Sequence, residues 1–294
     1  MFQFDYIRPN SLEEVTQLLT RYGQRARLIA GGTDLMVQFR ERDKRWKEVD
    51  YVIDLTALRK ELAKITETDD CILIGALNTH ADLEQSLLIR NNLPYLSDAC
   101  SKVGSPQIRN MGTIGGSICN GSPAADPLPP LIASEAIAVI WGPFGKREIV
   151  LSDLFSEKGE LEFEQGEFLK EIKVKKCSRD TKTAFVKLGR RKALAISRIN
   201  AAAALTLDDS EVIIKARICP GCIFRKPDRV NEAENLLLGK KPDETLFKEA
   251  GHLVSQAMIE KTGRRWSTEY KEPVVEAIVE RALLSATGME AGNE

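Results

Sequence analysis

Histidine is nearly missing from this chain, which has only His80 and His252. Two are too few for a histidine relay, and neither stands in a Ser/His/Asp setting. Cysteine is sparse too: the six are scattered at 71, 100, 119, 177, 219 and 222. That density does not make a disulfide scaffold. Cys219 and Cys222 form a CxxC, but a zinc or iron–sulfur site needs a full ligand set and the other four cysteines are isolated. The pair reads as turn residues with incidental thiols, a redox pair being the alternative, and no metal site is expected. Net charge is nearly absent, at −1, which excludes a general affinity for nucleic acid or an anionic membrane surface. Long apolar runs are lacking as well. The longest, 130–141, contains Glu135 and is too short for a membrane span. The opening MFQFDYIRPN has no basic segment followed by an apolar one, so no secretory signal is expected. With the free thiols, this points to the cytoplasm. Neither GxGxxG at a strand-to-helix turn nor GxxxxGK[ST] occurs, which argues against a Rossmann dinucleotide site and a P-loop.

What is present is an ordinary globular composition, 43% hydrophobic and 29% charged over 294 residues. One to three domains are expected. Residues 11–22 read as a helix capped by Ser11, with Glu14 completing a capping box. Strands are expected at 27–30 and 51–55, making a small α/β unit over 1–55. From 56 to 176, strands at 71–76, 136–140, 147–151 and 168–174 alternate with short helices at 79–85 and 93–103. The polar stretch 176–183 reads as a boundary. Beyond it, strands at 184–188, 201–207 and 212–218 precede helices at 229–238, 243–259 and 272–286, the last with Pro273 in its first turn. Strands followed by helices make a second α+β unit over 177–286. Residues 287–294 read as a frayed tail.

Two glycine-rich stretches stand out. One is IAGGTDL, Ile29 to Leu35. The other is GSPQIRNMGTIGGSICNGSPAADPLPP, from Gly104 to Pro130. Glycine lets a ligand approach the main chain, and successive open N–H groups attract anions. Both stretches read as backbone cradles, together suited to a ligand with two linked phosphates. Asp126 lies among Pro123, Pro127, Pro129 and Pro130, which restrict its backbone. It reads either as a fixed acceptor for ligand hydroxyls or as a simple turn acid. The basic runs at 190–192 and 264–265 read as solvated faces.

IAGGTDL followed by IRNMGTIGGSICNGSPAADPLPPL resembles the FAD-binding medium subunit of molybdenum hydroxylases. That family includes the carbon monoxide dehydrogenase flavoprotein and the FAD subunit of xanthine dehydrogenase. FVKLGRRKALAISRINAAAAL, KPDRVNEAENLLLGK and RRWSTEYKEPVVEAIVERAL resemble its later segments in order, so the likeness covers nearly the whole chain. It implies an α+β fold: a two-subdomain FAD-binding domain of the vanillyl-alcohol-oxidase type, then a C-terminal α+β domain. It implies that the main chain of Ala30, Gly31, Gly32, Thr33 and Asp34, flanked by Ile29 and Leu35, holds the FAD pyrophosphate. Thr113, Ile114, Gly115 and Gly116 would complete the cradle, with Ser122 nearby. Asp126 would bond flavin hydroxyls, Leu169 would pack on the ring system, and Lys187 would lie near the isoalloxazine and tune it. The implied partners are a molybdopterin large subunit and a [2Fe-2S] small subunit in a heterotrimer. Electrons would pass through FAD to NAD, oxygen or another acceptor. The chain departs from the xanthine dehydrogenase branch at Arg190-Arg191-Lys192-Ala193, where that branch carries acids. These cations would draw an anionic acceptor such as NAD. An alternative is a stand-alone FAD-dependent oxidoreductase acting on a small substrate. A non-catalytic assembly protein is a third reading, against which both intact glycine loops argue.

Overall fold

Ser11 starts the first helix as its sequence suggests, but the reciprocal bond is displaced by one residue. The Ser11 hydroxyl accepts the Glu14 N–H at 3.2 Å, while the Glu14 carboxylate accepts the N–H of Asn10, not of Ser11, at 2.7 Å. The structure, a computed structural model, describes residues 3–191 and 194–289. The first unit comprises β1 (Asp5–Ile7), α1 (Leu12–Tyr22), β2 (Ala26–Ile29), α2 (Leu35–Arg40) and β3 (Tyr51–Asp54). Its strands lie parallel in the order β1-β3-β2. Parallel neighbours need crossovers, which α1 and α2 supply.

The second unit runs through α3 (Arg59–Leu62), β4 (Ile65–Glu67), β5 (Cys71–Gly75), α4 (His80–Gln85), α5 (Leu87–Asn92) and α6 (Pro94–Ser101). It continues through α7 (Pro106–Met111), α8 (Ile114–Asn120), α9 (Leu128–Ala133), β6 (Ile137–Gly142), β7 (Gly145–Val150) and β8 (Phe168–Lys175). The strands pair antiparallel in the order β4-β5-β8-β6-β7. Edge strand β7 carries Arg147 and Glu148, which pair with Glu167 and Lys173. Charge on an edge discourages pairing with another chain.

The third unit is β9 (Thr181–Gly189), β10 (Ser197–Leu207), β11 (Ile213–Gly221), α10 (Asn231–Leu237), α11 (Glu244–Thr262) and α12 (Thr268–Thr287). Its sheet is antiparallel, in the order β11-β10-β9. Central β10 is buried on both faces, as the unbroken run Ala201 to Leu205 requires. Side chains alternate along a strand. Ala202 and Ala204 therefore join the core of the second unit, while Ile199, Ala201, Ala203 and Leu205 pack with α11 and α12. α12 begins earlier than expected, so Pro273 lies inside the helix rather than in its first turn and forgoes one helical hydrogen bond. Among the described residues, no helix is long and apolar enough to cross a membrane.

A buried carboxylate fastens α10 to β11 and to the second unit. Glu234 accepts the Ile218 N–H at 2.8 Å and grips Arg229 through both oxygens, at 2.8 and 2.6 Å. Arg229 reaches on to Glu135, which also pairs with Arg217. Burial pushes the Glu135 carboxyl up, but Arg217 and Arg229 outweigh it and hold it below the usual carboxylate range. Glu234→Ala strands the buried Ile218 amide and leaves the half-buried Arg229 with Glu135 alone, and should cost about 3 kcal/mol by urea denaturation. Glu135→Gln, at a half-exposed site, should cost under about 1 kcal/mol. Equal losses would show that burial does not rank these two contacts.

Candidate functional site

β2 ends at Ile29, and the chain turns through Ala30 to Asp34 before α2 begins at Leu35. Gly32 takes a left-handed φ of 67°, which a side chain would strain. The carbonyls of Gly32 and Asp34 accept from Met36 and Gln38, starting the helix. The N–H groups of Gly31, Gly32, Thr33, Asp34 and Leu35 make no hydrogen bond to another described residue. Five successive open amides at a helix entry form a nest for an anion.

The second loop lies against the first. A Cβ on Gly31 would stand 1.8 Å from the Met111 carbonyl oxygen, so the two main chains touch there. A Cβ on Gly112 would stand 3.4 Å from Thr33 Oγ1 and 3.2 Å from His80 Cδ2. Tertiary structure thus joins two stretches that are far apart in sequence.

The second stretch is not, however, an open row of amides. It folds into α7 and α8, with Thr113 as the N-cap of α8. Ile114 N–H donates to Asn78 O and Gly115 N–H to Ala76 O, both at 2.9 Å. Gly116 N–H donates to Thr113 Oγ1 at 3.1 Å, and Ser117 N–H to Thr113 O at 2.9 Å. Two of these amides are spent on Asn78 and Ala76, and two on Thr113 itself. The main-chain donors of Ile114 to Gly116 are thus bonded within the protein, because a helix start seated on a strand end satisfies its own donors. Gly115 permits that seat, since a Cβ there would lie 2.6 Å from the Ala76 side chain. What this loop offers a ligand is close approach and the hydroxyls of Thr113 and Ser117. Ser122 lies half-buried past α8, its hydroxyl accepting the Ala124 N–H at 3.3 Å.

Asp126 is buried, and three donors converge on it. Lys187 Nζ lies 2.6 Å from Oδ2, while Ser197 Oγ and Asn200 Nδ2 donate to Oδ1 at 2.5 and 2.9 Å. Lys187 also donates to the Lys102 carbonyl at 2.8 Å. Sequence reasoning placed Asp126 and Lys187 at the cofactor separately; the structure joins them in one ion pair with side chains 5% and 10% exposed. It missed Ser197 and Asn200, although two polar residues at the head of an apolar strand signal a need for buried partners. Leu169, on β8, is buried in one core with Ile114 and Ile118 of α8.

The thiols of Cys219 and Cys222 donate to different carbonyls, Asp228 O at 3.4 Å and Ser197 O at 3.5 Å. Burial, then the Asp126 charge, pushes the Cys222 thiol up to about 12, and burial raises Cys219 as well. Neither is poised as a thiolate. Arg190 and Arg191 are exposed, and Arg191 donates to the Leu194 carbonyl at 2.6 and 3.1 Å, closing its own turn. Lys192 and Ala193 lie outside the described residues. Arg264 and Arg265 are exposed, as expected of a solvated face.

The open amides of the first loop thus lie against a second glycine loop, and comparison gives the family. Residues 2–175 match the FAD binding domain in molybdopterin dehydrogenase, and residues 184–286 match the CO dehydrogenase flavoprotein C-terminal domain. The chain belongs to the family of FAD-binding medium subunits of molybdenum hydroxylases, and is an oxidoreductase subunit whose cofactor is FAD. It is 34% identical to the nicotinate dehydrogenase FAD-subunit of Eubacterium barkeri, over 97% of this chain and 96% of that one. It is 30% identical to the carbon monoxide dehydrogenase medium chain of Hydrogenophaga pseudoflava, over 97% of each. A solved carbon monoxide dehydrogenase from Hydrogenophaga pseudoflava superposes with a TM-score of 0.90 at 28% identity, covering 99% of each chain. The α+β fold expected from sequence is the one observed.

His80 sits behind the junction of the loops, 2% exposed. Burial, then the nearby Arg109 charge, lowers its ring to about 4. The unfolded chain takes up a proton near pH 6.5 and the folded chain only near 4. Stability from this group is therefore full above pH 6.5 and is lost as pH falls towards 4, by about 3 kcal/mol. His80→Asn should lose correspondingly less between pH 7 and pH 4 in urea titrations. The same loss in both proteins would rule out the buried neutral ring as its source.

Proposed function

We propose that this chain is the FAD-carrying electron-transfer subunit of a molybdenum-dependent hydroxylase or dehydrogenase. The observation that carries the reading is the run of five open amides, Gly31 to Leu35, pressed against Met111 and Gly112. Such a nest suits a pyrophosphate, and a Cβ on Gly31 would drive its main chain away from Met111. In this reading the main chain of Ala30 to Asp34 binds the pyrophosphate, with Thr113 and the close-packed Gly115-Gly116 beside it and Ser122 nearby. Asp126 holds a flavin hydroxyl through the acceptor capacity its three donors leave. Leu169 supports the ring from the core, and Lys187 sets positive charge near it, balanced by Asp126. FAD supplies the ability to take up and release electrons. The chain's own work is to hold it, exclude water and fix the local charge.

Electrons then enter from [2Fe-2S] clusters on a small subunit, which receive them from a molybdopterin large subunit that hydroxylates the substrate. They leave to NAD, oxygen or another acceptor, in the cytoplasm. The names of the relatives, a FAD-subunit and a medium chain, support a multi-subunit assembly. The units 1–55, 56–176 and 177–286 serve as two FAD-binding subdomains and a C-terminal domain. A stand-alone oxidoreductase would need a base beside the flavin. His80 is buried and neutral, and His252 is bonded to Glu276 on α12, so neither supports that reading.

The test is the visible spectrum of the purified complex after desalting. Flavin bands should persist in the wild type and be lost in Gly31→Ala, with far-UV circular dichroism unchanged. Bands retained at equal affinity in Gly31→Ala would sink the assignment of the nest. For the acceptor, Arg190→Glu is the informative change, because Arg191 closes a turn. It should raise the KM for NAD at low salt, and an unchanged KM at every ionic strength would remove the cation steering idea.

A further inference from the structure

We propose that His80 is a positioning residue of the cofactor site, a neutral ring that turns the Ser117 hydroxyl outward to donate to a phosphate oxygen of the bound dinucleotide. The proposal deepens the FAD reading above and rests on it.

His80 opens α4 directly after its N-cap, Thr79, and its N–H donates to Gly112 O at 3.0 Å. The ring therefore lies against the point where Gly112 meets Thr33. One nitrogen, Nε2, is 3.1 Å from Ser117 Oγ. The other, Nδ1, is buried with no hydrogen-bond partner. Those two facts select the tautomer. A proton on Nδ1 would strand a buried donor, and a doubly protonated ring would strand the same donor and bury a charge. A proton on Nε2 strands only a lone pair, and unused acceptors are tolerated better than orphaned N–H groups. Arg109 and the N-terminal end of α4 also disfavour the charged ring.

The consequence falls on Ser117. With Nε2–H donating to Oγ, the serine proton has to point elsewhere. No other acceptor for it is present among the described residues. Ser117 is half-buried, one turn before Asn120 on the same face of α8. Asn120 accepts from Gln38 of α2 at 3.2 Å, so this face looks toward the helix that the first loop opens. The free O–H is thereby offered next to the amide nest, where it adds a donor to a phosphate already met by main-chain N–H groups. Without His80 nothing would fix the rotation of the hydroxyl, and the donor would no longer be preset.

The experiment is a double-mutant cycle on the assembled complex after reversible removal of flavin, with FAD affinity read by flavin fluorescence quenching. Ser117→Ala should weaken binding about tenfold, the worth of one hydrogen bond to a charged group. His80→Leu should weaken it several-fold, and His80→Asn, which keeps a donor, should recover most of that. In the Ser117→Ala background, His80→Leu should add nothing, and the 31P resonances of bound FAD should shift in Ser117→Ala. Multiplying effects in the double variant would make His80 a packing residue and overturn the proposal. Unchanged affinity or unchanged 31P resonances in Ser117→Ala would also overturn it, and these need no histidine variant to fold. Wild-type complex that takes up no FAD would instead bring down the cofactor reading itself, with this proposal.

Discussion

The Met111 carbonyl occupies the place that a Cβ on Gly31 would take, and the geometry of the site follows from that contact. Because the main chains touch, the first loop cannot move without the second. The second is fixed in turn by Gly115, whose missing side chain lets α8 sit on the end of β5. The amides of α8 are consumed in that seat, which leaves the open ones on the first loop. Division of labour follows: one loop presents N–H groups, while the other presents hydroxyls and holds the first in position. A larger residue at either glycine would separate surfaces that hydrogen bonds alone could not bring back together.

The third unit is held to this frame by charge as well as by packing. Asp126 stands just past α8, yet its three donors come from β9 and β10. Burial of that carboxylate is tolerable only because Lys187 balances it on one oxygen and two neutral donors bond the other. Glu234 and Arg229 repeat the device at β11, where Glu234 accepts the Ile218 N–H. Packing does the rest along β10, whose alternating alanines let the second unit approach one face and α11 and α12 the other. Small residues there allow close approach of three layers around one strand.

Much of this was legible from local pattern. Ser11 caps its helix as expected, and the helices expected at 79–85 and 243–259 are present, with Thr79 and Asp243 as their caps. The run from Ala201 to Leu205 is a buried strand, and glycine-rich IAGGTDL is a turn of open amides. The hydrogen bonding of the second glycine stretch was not legible, for a physical reason: glycine signals freedom from side-chain clashes, whether that freedom admits a ligand or a neighbouring strand end. Here it admits the strand end. The pairing of Asp126 with Lys187 also escaped, since each side chain has a sensible role alone. Only the fold brings them within 2.6 Å.

The sequence by itself determined the glycines, the caps, the two-faced strand and the scarcity of titrating side chains. Each depends on the chemistry of a residue and its near neighbours, so it can be read locally. Tertiary structure alone decided which amides stay open, which hydroxyl is aimed, and which buried charge meets which. Those outcomes depend on donors and acceptors far apart along the chain competing for the same partners, and the competition is settled only when the packed layers fix their distances.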